Sequence, residues 1–214
     1  MWRQPSVRAP IWCGGARTTG NPFSVQEVAD ALRGTEVLVL VKNAQMPDTG
    51  LWTGAVERML TAGVGPERLV LVHRGFAQTS GNEYRNPPVW HVALEMRRRF
   101  PELKMLCDPS HICGRREGLA ATAQKAADLS YDGLFMESHV RPDEALSDAA
   151  QQVTPEQLGE LLAGIRWRRE TVDVPQFEAD MERLRLEIDQ IDAQLFALLS
   201  RRMGIAEAGF LFIS

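Results

Sequence analysis

Leu106-Cys107-Asp108-Pro109-Ser110-His111-Ile112 is the stretch that decides the fold, because a short apolar run ends there abruptly in polar residues. This change is typical of a buried strand that delivers polar groups to the mouth of a site. The pattern recurs where Leu134-Phe135-Met136 runs into Glu137-Ser138-His139, with Asp148 a short distance further on. The sequence therefore predicts two strands that are followed, at their carboxyl ends, by catalytic or binding residues.

The composition of the chain sets bounds on its class. Its 214 residues are enough for a sizeable core and for two domains. A net charge of −4 argues against nucleic acid or a membrane surface as a partner. Three cysteines without a paired framework fit a reducing compartment, and no apolar run approaches the roughly 20 residues of a membrane span. We therefore expect a soluble, cytoplasmic protein.

Short apolar runs alternate with helical patterns between residue 10 and about residue 165. The runs are nearly continuous in apolar residues, as expected of parallel strands buried on both faces. The predicted strands are 11–13, 37–41, 69–72, 105–107 and 134–136. The predicted helices are 24–32, 54–62, 89–100, 119–129 and 154–165, with a capping box at Ser24 opening the first and Thr154 capping the last.

This alternation gives a parallel sheet that is either open or closed into a barrel. Each predicted strand is followed by a polar group, in order Arg17, Lys42, His73-Arg74, His111 and Glu137. In a (β/α)8 barrel the carboxyl ends of all strands converge on one face, where the catalytic groups lie. We therefore predict an α/β fold of TIM-barrel type. It would be incomplete, with about five β/α units, because complete barrels usually need about 250 residues.

The residues after Trp167 follow a different pattern. Apolar residues step alternately by four and three positions along a seam formed by Phe177, Met181, Leu184, Ile188, Ile191, Leu195 and Leu198. This spacing predicts a long helix that pairs with another helix rather than with a sheet. Arg202 occupies the next seam position, and its charge there indicates either a solvent-exposed helix end or a functional group.

The three cations at the strand ends have two interpretations. Arg17, Lys42 and Arg74 are either unrelated surface charges or an anion pocket for a phosphate and a carboxylate. In such a pocket, arginine supplies paired donors and lysine a point charge.

The imidazole and carboxylates at the later strand ends also have two interpretations. His111, Glu137 and Asp148 suit a divalent cation, since imidazole is a borderline ligand and carboxylates are hard ones. They would otherwise form a buried polar network. His139 competes with His111 for the role of the imidazole ligand.

Four other groups fit simpler roles. His91 lies beside the apolar stripe of a predicted helix and is expected to be packed, and Trp52 and Trp90 are expected in the core. Cys107 and Cys113 flank His111, but their irregular spacing disfavours a zinc site.

Several motifs together resemble 3-deoxy-D-arabino-heptulosonate 7-phosphate (DAHP) synthase. The resemblance covers residue 11 to about residue 168 and is specific in combination. The motifs are Gly15-Ala16-Arg17-Thr18, Val41-Lys42-Asn43, His73-Arg74-Gly75-Phe76, Tyr84-Arg85-Asn86, Pro88-Val89-Trp90-His91, Cys107-Asp108-Pro109-Ser110-His111, Met136-Glu137-Ser138-His139, Pro142-Asp143 and Ser147-Asp148-Ala149-Ala150-Gln151-Gln152.

The resemblance implies an aldol-like condensation of phosphoenolpyruvate with erythrose 4-phosphate on a TIM barrel, assisted by a divalent metal (Mn, Fe, Co or Zn). By motif position, Arg17, Lys42 and Arg74 would bind phosphoenolpyruvate, and Lys42 and His111 would be catalytic. The resemblance also implies three of the four metal ligands, which would be His111, Glu137 and Asp148.

The seam resembles the first helix of the helical chorismate mutases, on Leu184-Arg185, Ile188-Asp189 and 198–203. This resemblance implies that Arg185 and Arg202 bind the carboxylates of chorismate and that the chain forms a homo-oligomer through this helix. The expected organisation is a partial synthase barrel over 1–168, a linker over 169–176 and the first helix of a truncated mutase domain over 177–214.

The sequence also departs from the synthase pattern. The family's Gly-Pro-Cys strand, whose Cys is the fourth ligand, and its Lys-Pro-Arg-Thr loop, which binds erythrose 4-phosphate, have no counterpart, and Cys13 is not a substitute. The expectation is therefore a fragment or frameshifted product, whose own catalysis is in question.

Two alternatives stay open. One is a synthase of 3-deoxy-manno-octulosonate 8-phosphate, which shares the barrel, although Tyr84-Arg85-Asn86 and the fused helix argue against it. The other is a non-catalytic module that dimerises or docks through its amphipathic helix.

Overall fold

The computed structural model describes residues 11–14, 16–77, 83–168 and 175–210. The chain divides into two units, Met1–Arg168 and Arg169–Ser214, and each is described by itself below. Among the described residues, no helix combines the length and apolar character that a membrane span requires.

A five-stranded parallel sheet forms the centre of the first unit. Neighbouring strands follow chain order without reversal, from the first to the fifth. The strands are β1 (Ile11–Gly14), β2 (Leu38–Lys42), β3 (Leu69–His73), β4 (Lys104–Cys107) and β5 (Gly133–Leu134). A doubly wound sheet reverses its strand order at a switch point, whereas chain order is the arrangement of a TIM barrel.

Eight α-helices lie within the described residues. They are α1 (Ala16–Thr19), α2 (Pro22–Leu32), α3 (Thr49–Thr61), α4 (Trp90–Arg99), α5 (Pro109–Cys113), α6 (Leu119–Asp128), α7 (Pro155–Gly164) and α8 (Pro175–Phe210). Short 3-10 turns occur at Pro66–Arg68, Pro142–Glu144 and Ala149–Gln151.

The predicted strand 134–136 is wrong in its position. β5 pairs only Gly133 and Leu134 with β4, and the Phe135 amide donates one last bond to the Cys107 carbonyl. β4 ends at Cys107 because Asp108 and Pro109 turn the chain into α5. Beyond Phe135 the chain leaves β4, and Ser138 forms an isolated parallel bridge with Val153.

Two predicted helix starts are also wrong. Asn21, rather than Ser24, caps α2, because its extended backbone lets Oδ1 accept from the amides of Phe23 and Ser24. α3 begins at Thr49 rather than Gly54, because Asp48 accepts from the next helical amides. The predicted cap at Thr154 is confirmed, and it forms a full capping box with Gln157.

The core lies around the sheet and the helices that connect its strands. Trp52 of α3 is fully buried, as predicted, whereas Trp90 is only half-buried against the core. His91 is exposed, so its predicted packing is wrong. α4 instead turns Val92 and Met96, one helical turn apart, into the core. Burying a side chain of this size contributes about 1.5–3 kcal/mol.

The second unit contains the long helix α8. It begins at Pro175, two residues earlier than predicted, since proline is well accommodated in a first turn. Its predicted seam is exposed to solvent from Met181 to Leu198, with fractions from 37% at Met181 to 60% at Leu198. The expected linker residues 169–174 lie outside the described residues.

Candidate functional site

The carboxyl ends of β2, β3 and β4 deliver a buried polar group each to the same edge of the sheet. Lys42 is the last residue of β2, Arg74 directly follows β3, and Asp108 directly follows β4. Lys42 and Arg74 are each 8% exposed and Asp108 is 0% exposed. Buried charges at one edge need partners, and these partners define the site.

Asp108 connects Lys42 with His111. The Lys42 ammonium nitrogen donates to Oδ2 of Asp108 at 3.0 Å. Asp108 also caps α5, because its Oδ1 accepts from the His111 amide at 3.0 Å. Pro109 favours the first helical turn, so the local sequence fixes His111 one turn beyond the carboxylate.

The same carboxylate lies close to the imidazole. His111 Nδ1 is 2.9 Å from Asp108 Oδ2, but the direction between them is not that of a hydrogen bond, and Nδ1 has no hydrogen-bond partner among the described residues. Burial acts most strongly on the pKa of Asp108 and raises it. His111 and Lys42 together outweigh that effect, so the pKa lies below its ordinary value and the carboxylate is ionised.

Lys42 has a second contact on its other side. Its ammonium nitrogen lies 4.5 Å from the centre of the Phe135 ring, which follows β5. A cation over an aromatic face is attracted to it. The lysine charge is therefore held between Asp108 and Phe135 at the sheet edge.

Arg74 is fixed by two asparagines. Its amide donates to Asn43 Oδ1 at 2.7 Å, and its guanidinium donates to Asn86 Oδ1 at 3.1 Å. Asn86 donates in turn to the carbonyl of His111 at 2.6 Å. Burial lowers the pKa of Arg74 from its ordinary value, yet arginine stays protonated at neutral pH. The chain thus holds a desolvated guanidinium beside α5.

His73 anchors the segment that carries Asn86. Its Nε2 lies 2.6 Å from the Pro88 carbonyl, which only accepts, so Nε2 donates and Nδ1 accepts from the Tyr131 hydroxyl at 2.9 Å. Burial lowers the pKa of His73 to about 4. The ring is therefore neutral at pH 7 and is part of the support of the site.

His111, Glu137 and Asp148 come together beside these cations. One ligand atom from each residue lies within 4.8 Å of the other two. His111 Nε2 is 3.7 Å from Glu137 Oε1. The Glu137 amide donates to Ser110 Oγ at 3.1 Å, which positions the start of this loop against α5.

Asp148 has a strained backbone. Its φ of 51° and ψ of 31° lie in the left-handed region, which aspartate tolerates better than most residues. Arg85 donates to its Oδ1 at 2.6 Å, and this bond holds the pKa of Asp148 below its ordinary value. A strained residue held by a specific partner is a common feature of functional sites.

These three residues fit a divalent metal ion by their chemistry. Zinc, for example, binds imidazole nitrogen and carboxylate oxygen at about 2.0–2.2 Å, so neighbouring ligand atoms around one ion are about 3–3.6 Å apart. The ligand atoms of the three side chains lie within 4.8 Å of one another, and an inward movement of the side chains gives that spacing. Three protein ligands leave positions for a water or a substrate.

Three other site residues are predicted from the sequence, namely Arg17, Arg185 and Arg202. The side chain of Arg17 lies outside the described residues. Arg185 and Arg202 are exposed on α8 in the second unit, and Arg185 pairs with Glu182 at 3.7 Å. Burial rules out the interpretation of Lys42 and Arg74 as surface charges.

The other candidate ligands, His139, Cys107 and Cys113, do not belong to the cluster of His111, Glu137 and Asp148. The His139 ring contacts the backbone of Arg141. Cys113 Sγ lies 3.2 Å from Thr122 Oγ1, and burial raises the pKa of Cys107 well above its ordinary value. A buried thiol that stays protonated is a poor metal ligand.

Sequence reasoning missed four residues of this site. They are Asp108, Asn86, Arg85 and Gln151. Asp108 could have been predicted from the sequence, since it directly follows the apolar run that forms the end of β4. The other three lie in loops, where spacing along the chain predicts no partner.

Comparison with known proteins identifies a family and a related sequence. Residues 11–172 match the DAHP synthetase I family. A phospho-2-dehydro-3-deoxyheptonate aldolase of Thermotoga maritima is 32% identical over 101 residues, which are 47% of this chain and 29% of that protein.

Two solved structures from the same organism are also similar. A truncated form of 3-deoxy-D-arabino-heptulosonate 7-phosphate synthase is 26% identical with a TM-score of 0.62, over 72% of this chain and 56% of that one. A phospho-2-dehydro-3-deoxyheptonate aldolase is 25% identical with a TM-score of 0.62, over 72% of this chain and 43% of that one. This chain therefore spans less than two thirds of each of these relatives.

Proposed function

The chain belongs to the DAHP synthetase I family, and from that premise we propose that it condenses phosphoenolpyruvate with erythrose 4-phosphate and releases phosphate. The observation that carries the proposal is the close grouping of His111, Glu137 and Asp148 at the sheet edge that also holds two buried cations, Lys42 and Arg74. Metal ligands beside an anion pocket match a reaction whose substrates are both phosphorylated.

Lys42 and Arg74 form the anion pocket for phosphoenolpyruvate in this proposal, with Arg17 as a third cation. The guanidinium of Arg74 matches a carboxylate or phosphate in a bidentate geometry, and the Lys42 ammonium is a point charge. Both side chains are desolvated and already oriented by Asn86 and Asp108. Preorganised cations of this kind stabilise the negative charge that develops as phosphate leaves.

His111, Glu137 and Asp148 would hold a divalent ion (Mn, Fe, Co or Zn). When bound, such an ion supplies polarisation of an aldehyde oxygen or orientation of a water. The chain's own contribution is to orient the ligands. Asp108 accepts a hydrogen bond from the His111 amide and lies 2.9 Å from its ring, and Arg85 holds Asp148. Lys42 is bonded to Asp108, whose carboxylate also lies 2.9 Å from the His111 ring. Lys42 is the proposed catalytic cation.

A phosphate-release assay with both substrates and Mn²⁺ tests the proposal on the full chain. We expect turnover that His111→Ala lowers by at least 100-fold, since one of three ligands is lost. His139→Ala is the matched control, because the ring of this histidine hydrogen-bonds only to the backbone of Arg141 among the described residues, and it should retain wild-type turnover. Absence of turnover in the wild-type chain, or equal activity in the two variants, contradicts the proposal.

We further propose that α8 is the first helix of a chorismate mutase type domain, in which Arg185 and Arg202 bind the carboxylates of chorismate and the helix joins two copies of the chain. Support comes from its length of 36 residues and from the exposed apolar seam. The same seam also supports a second candidate function, a non-catalytic module that associates through this helix, because an exposed seam of this spacing is stable when paired.

A further inference from the structure

Gln151 bonds to Glu137, a proposed metal ligand, and uses both ends of its side-chain amide. It ends the 3-10 turn Ala149–Gln151 and is 1% exposed. Its Nε2 donates to Glu137 Oε2 at 2.8 Å, and its Oε1 accepts from Arg85 at 3.0 Å. A buried primary amide with both ends bonded has one fixed orientation.

The same Arg85 nitrogen also donates to Asp148 Oδ1 at 2.6 Å. Glu137, Gln151, Arg85 and Asp148 therefore form a continuous chain of hydrogen bonds. This chain connects two of the three clustered acidic and imidazole side chains. Its direction is determined chemically, since the amide nitrogen must face the carboxylate and the amide oxygen must face the guanidinium.

The contact selects which oxygen of Glu137 faces His111. Gln151 occupies Oε2, while Oε1 lies 3.7 Å from His111 Nε2. The backbone supports the same arrangement, because the Gln151 amide donates to the Asp148 carbonyl at 3.0 Å. That bond closes the turn in which Asp148 adopts its left-handed conformation.

We infer that Gln151 is a positioning residue for the metal site, holding Glu137 directly and Asp148 through Arg85. The inference rests on the proposed function, because it needs a divalent ion at these ligands. Groups that hydrogen-bond to metal ligands fix their orientation, and losing one typically weakens metal binding by about 10–100-fold.

A Mn²⁺ titration of the full chain, followed by the electron paramagnetic resonance signal of free Mn²⁺, tests the inference without an activity measurement. Gln151→Met keeps the length of the side chain but removes both hydrogen bonds. We expect its Kd for Mn²⁺ to rise by about 10–100-fold.

Gln124→Met is the matched control. Gln124 also uses both amide ends, donating to Asp128 at 2.8 Å and accepting from the Arg166 amide at 3.0 Å, but it lies in α6 outside the cluster. Its variant should bind Mn²⁺ like the wild-type chain. Should Gln151→Met fail to fold, Gln151→Asn, whose amide is one methylene too short to reach both partners, carries the same expectation.

A double variant separates positioning from general destabilisation. If Gln151 acts through Glu137, the loss caused by Gln151→Met must shrink in a Glu137→Ala background, because coupled sites are not additive. An undiminished loss there, or a Gln151→Met variant with wild-type Kd, overturns the inference alone. A wild-type chain that binds no Mn²⁺ overturns both the inference and the proposed metal site.

Discussion

Replacing Asp108 with asparagine tests how strongly the buried pair with Lys42 stabilises the fold. Asparagine keeps an oxygen for the His111 amide and remains a good helix cap, so the substitution removes mainly the charge. The Lys42 side chain is 11% exposed and that of Asp108 is 0% exposed. Breaking a buried pair by removing one partner leaves an uncompensated charge and costs about 3–5 kcal/mol. At about 2–4 °C per kcal/mol for a chain of this size, Tm should fall by about 6–20 °C.

Urea denaturation gives the free energy of unfolding and thermal denaturation gives Tm, both at pH 7. Fluorescence follows the unfolding, with the buried Trp52 as a sensitive probe. Asp30→Asn is the matched control, because Asp30 pairs with Arg33 at the same 3.0 Å but with side chains 55% and 60% exposed. An exposed pair contributes about 0–1 kcal/mol, so the control should unfold almost like the wild type. Equal, small losses in the two variants would refute the assignment of Asp108 as a buried charge partner.

Two further predictions follow from the remaining geometry. The pKa of His73 is lowered to about 4 from 6.5, so the unfolded chain binds more protons between these values and stability should fall by about 3 kcal/mol as pH falls through that window. His73→Gln should lose this part of the pH dependence in denaturation series, and an unchanged slope contradicts the buried neutral ring. In sedimentation velocity, Ile188→Asp with Leu195→Asp on the seam of α8 should convert dimers to monomers, whereas Gln190→Asp with Ala193→Asp, off the seam, should not. A monomeric wild-type chain contradicts pairing through α8.

The sequence was informative wherever burial alone determines structure. The apolar runs 37–41 and 69–72 predict β2 and β3 to within one residue at each end, because a strand buried on both faces needs continuous apolar residues. The same logic predicts that Lys42 and His111 follow strands, and Lys42 ends β2 whereas His111 lies in α5, which directly follows β4. The proximity of His111 to Glu137 fits the topology, since parallel strands in chain order present their carboxyl ends at one edge.

Loop partners were beyond sequence reasoning for a physical reason. Arg85 and Gln151 are separated by 66 positions, and their contact depends on the backbone of two loops rather than on a repeating pattern. The left-handed conformation of Asp148 is set by the same loop. Cap positions were missed similarly, because Asn21 and Ser24 are both good caps and only the local backbone decides between them.

We propose that His111, Glu137 and Asp148 hold one divalent ion beside Lys42 and Arg74. Crystals of the chain grown with Mn²⁺ and measured near the manganese absorption edge locate such an ion directly. We expect one strong anomalous peak within about 2.0–2.3 Å of His111 Nε2 and of one oxygen from each acid. A peak elsewhere, or none at these ligands at saturating Mn²⁺, would contradict it.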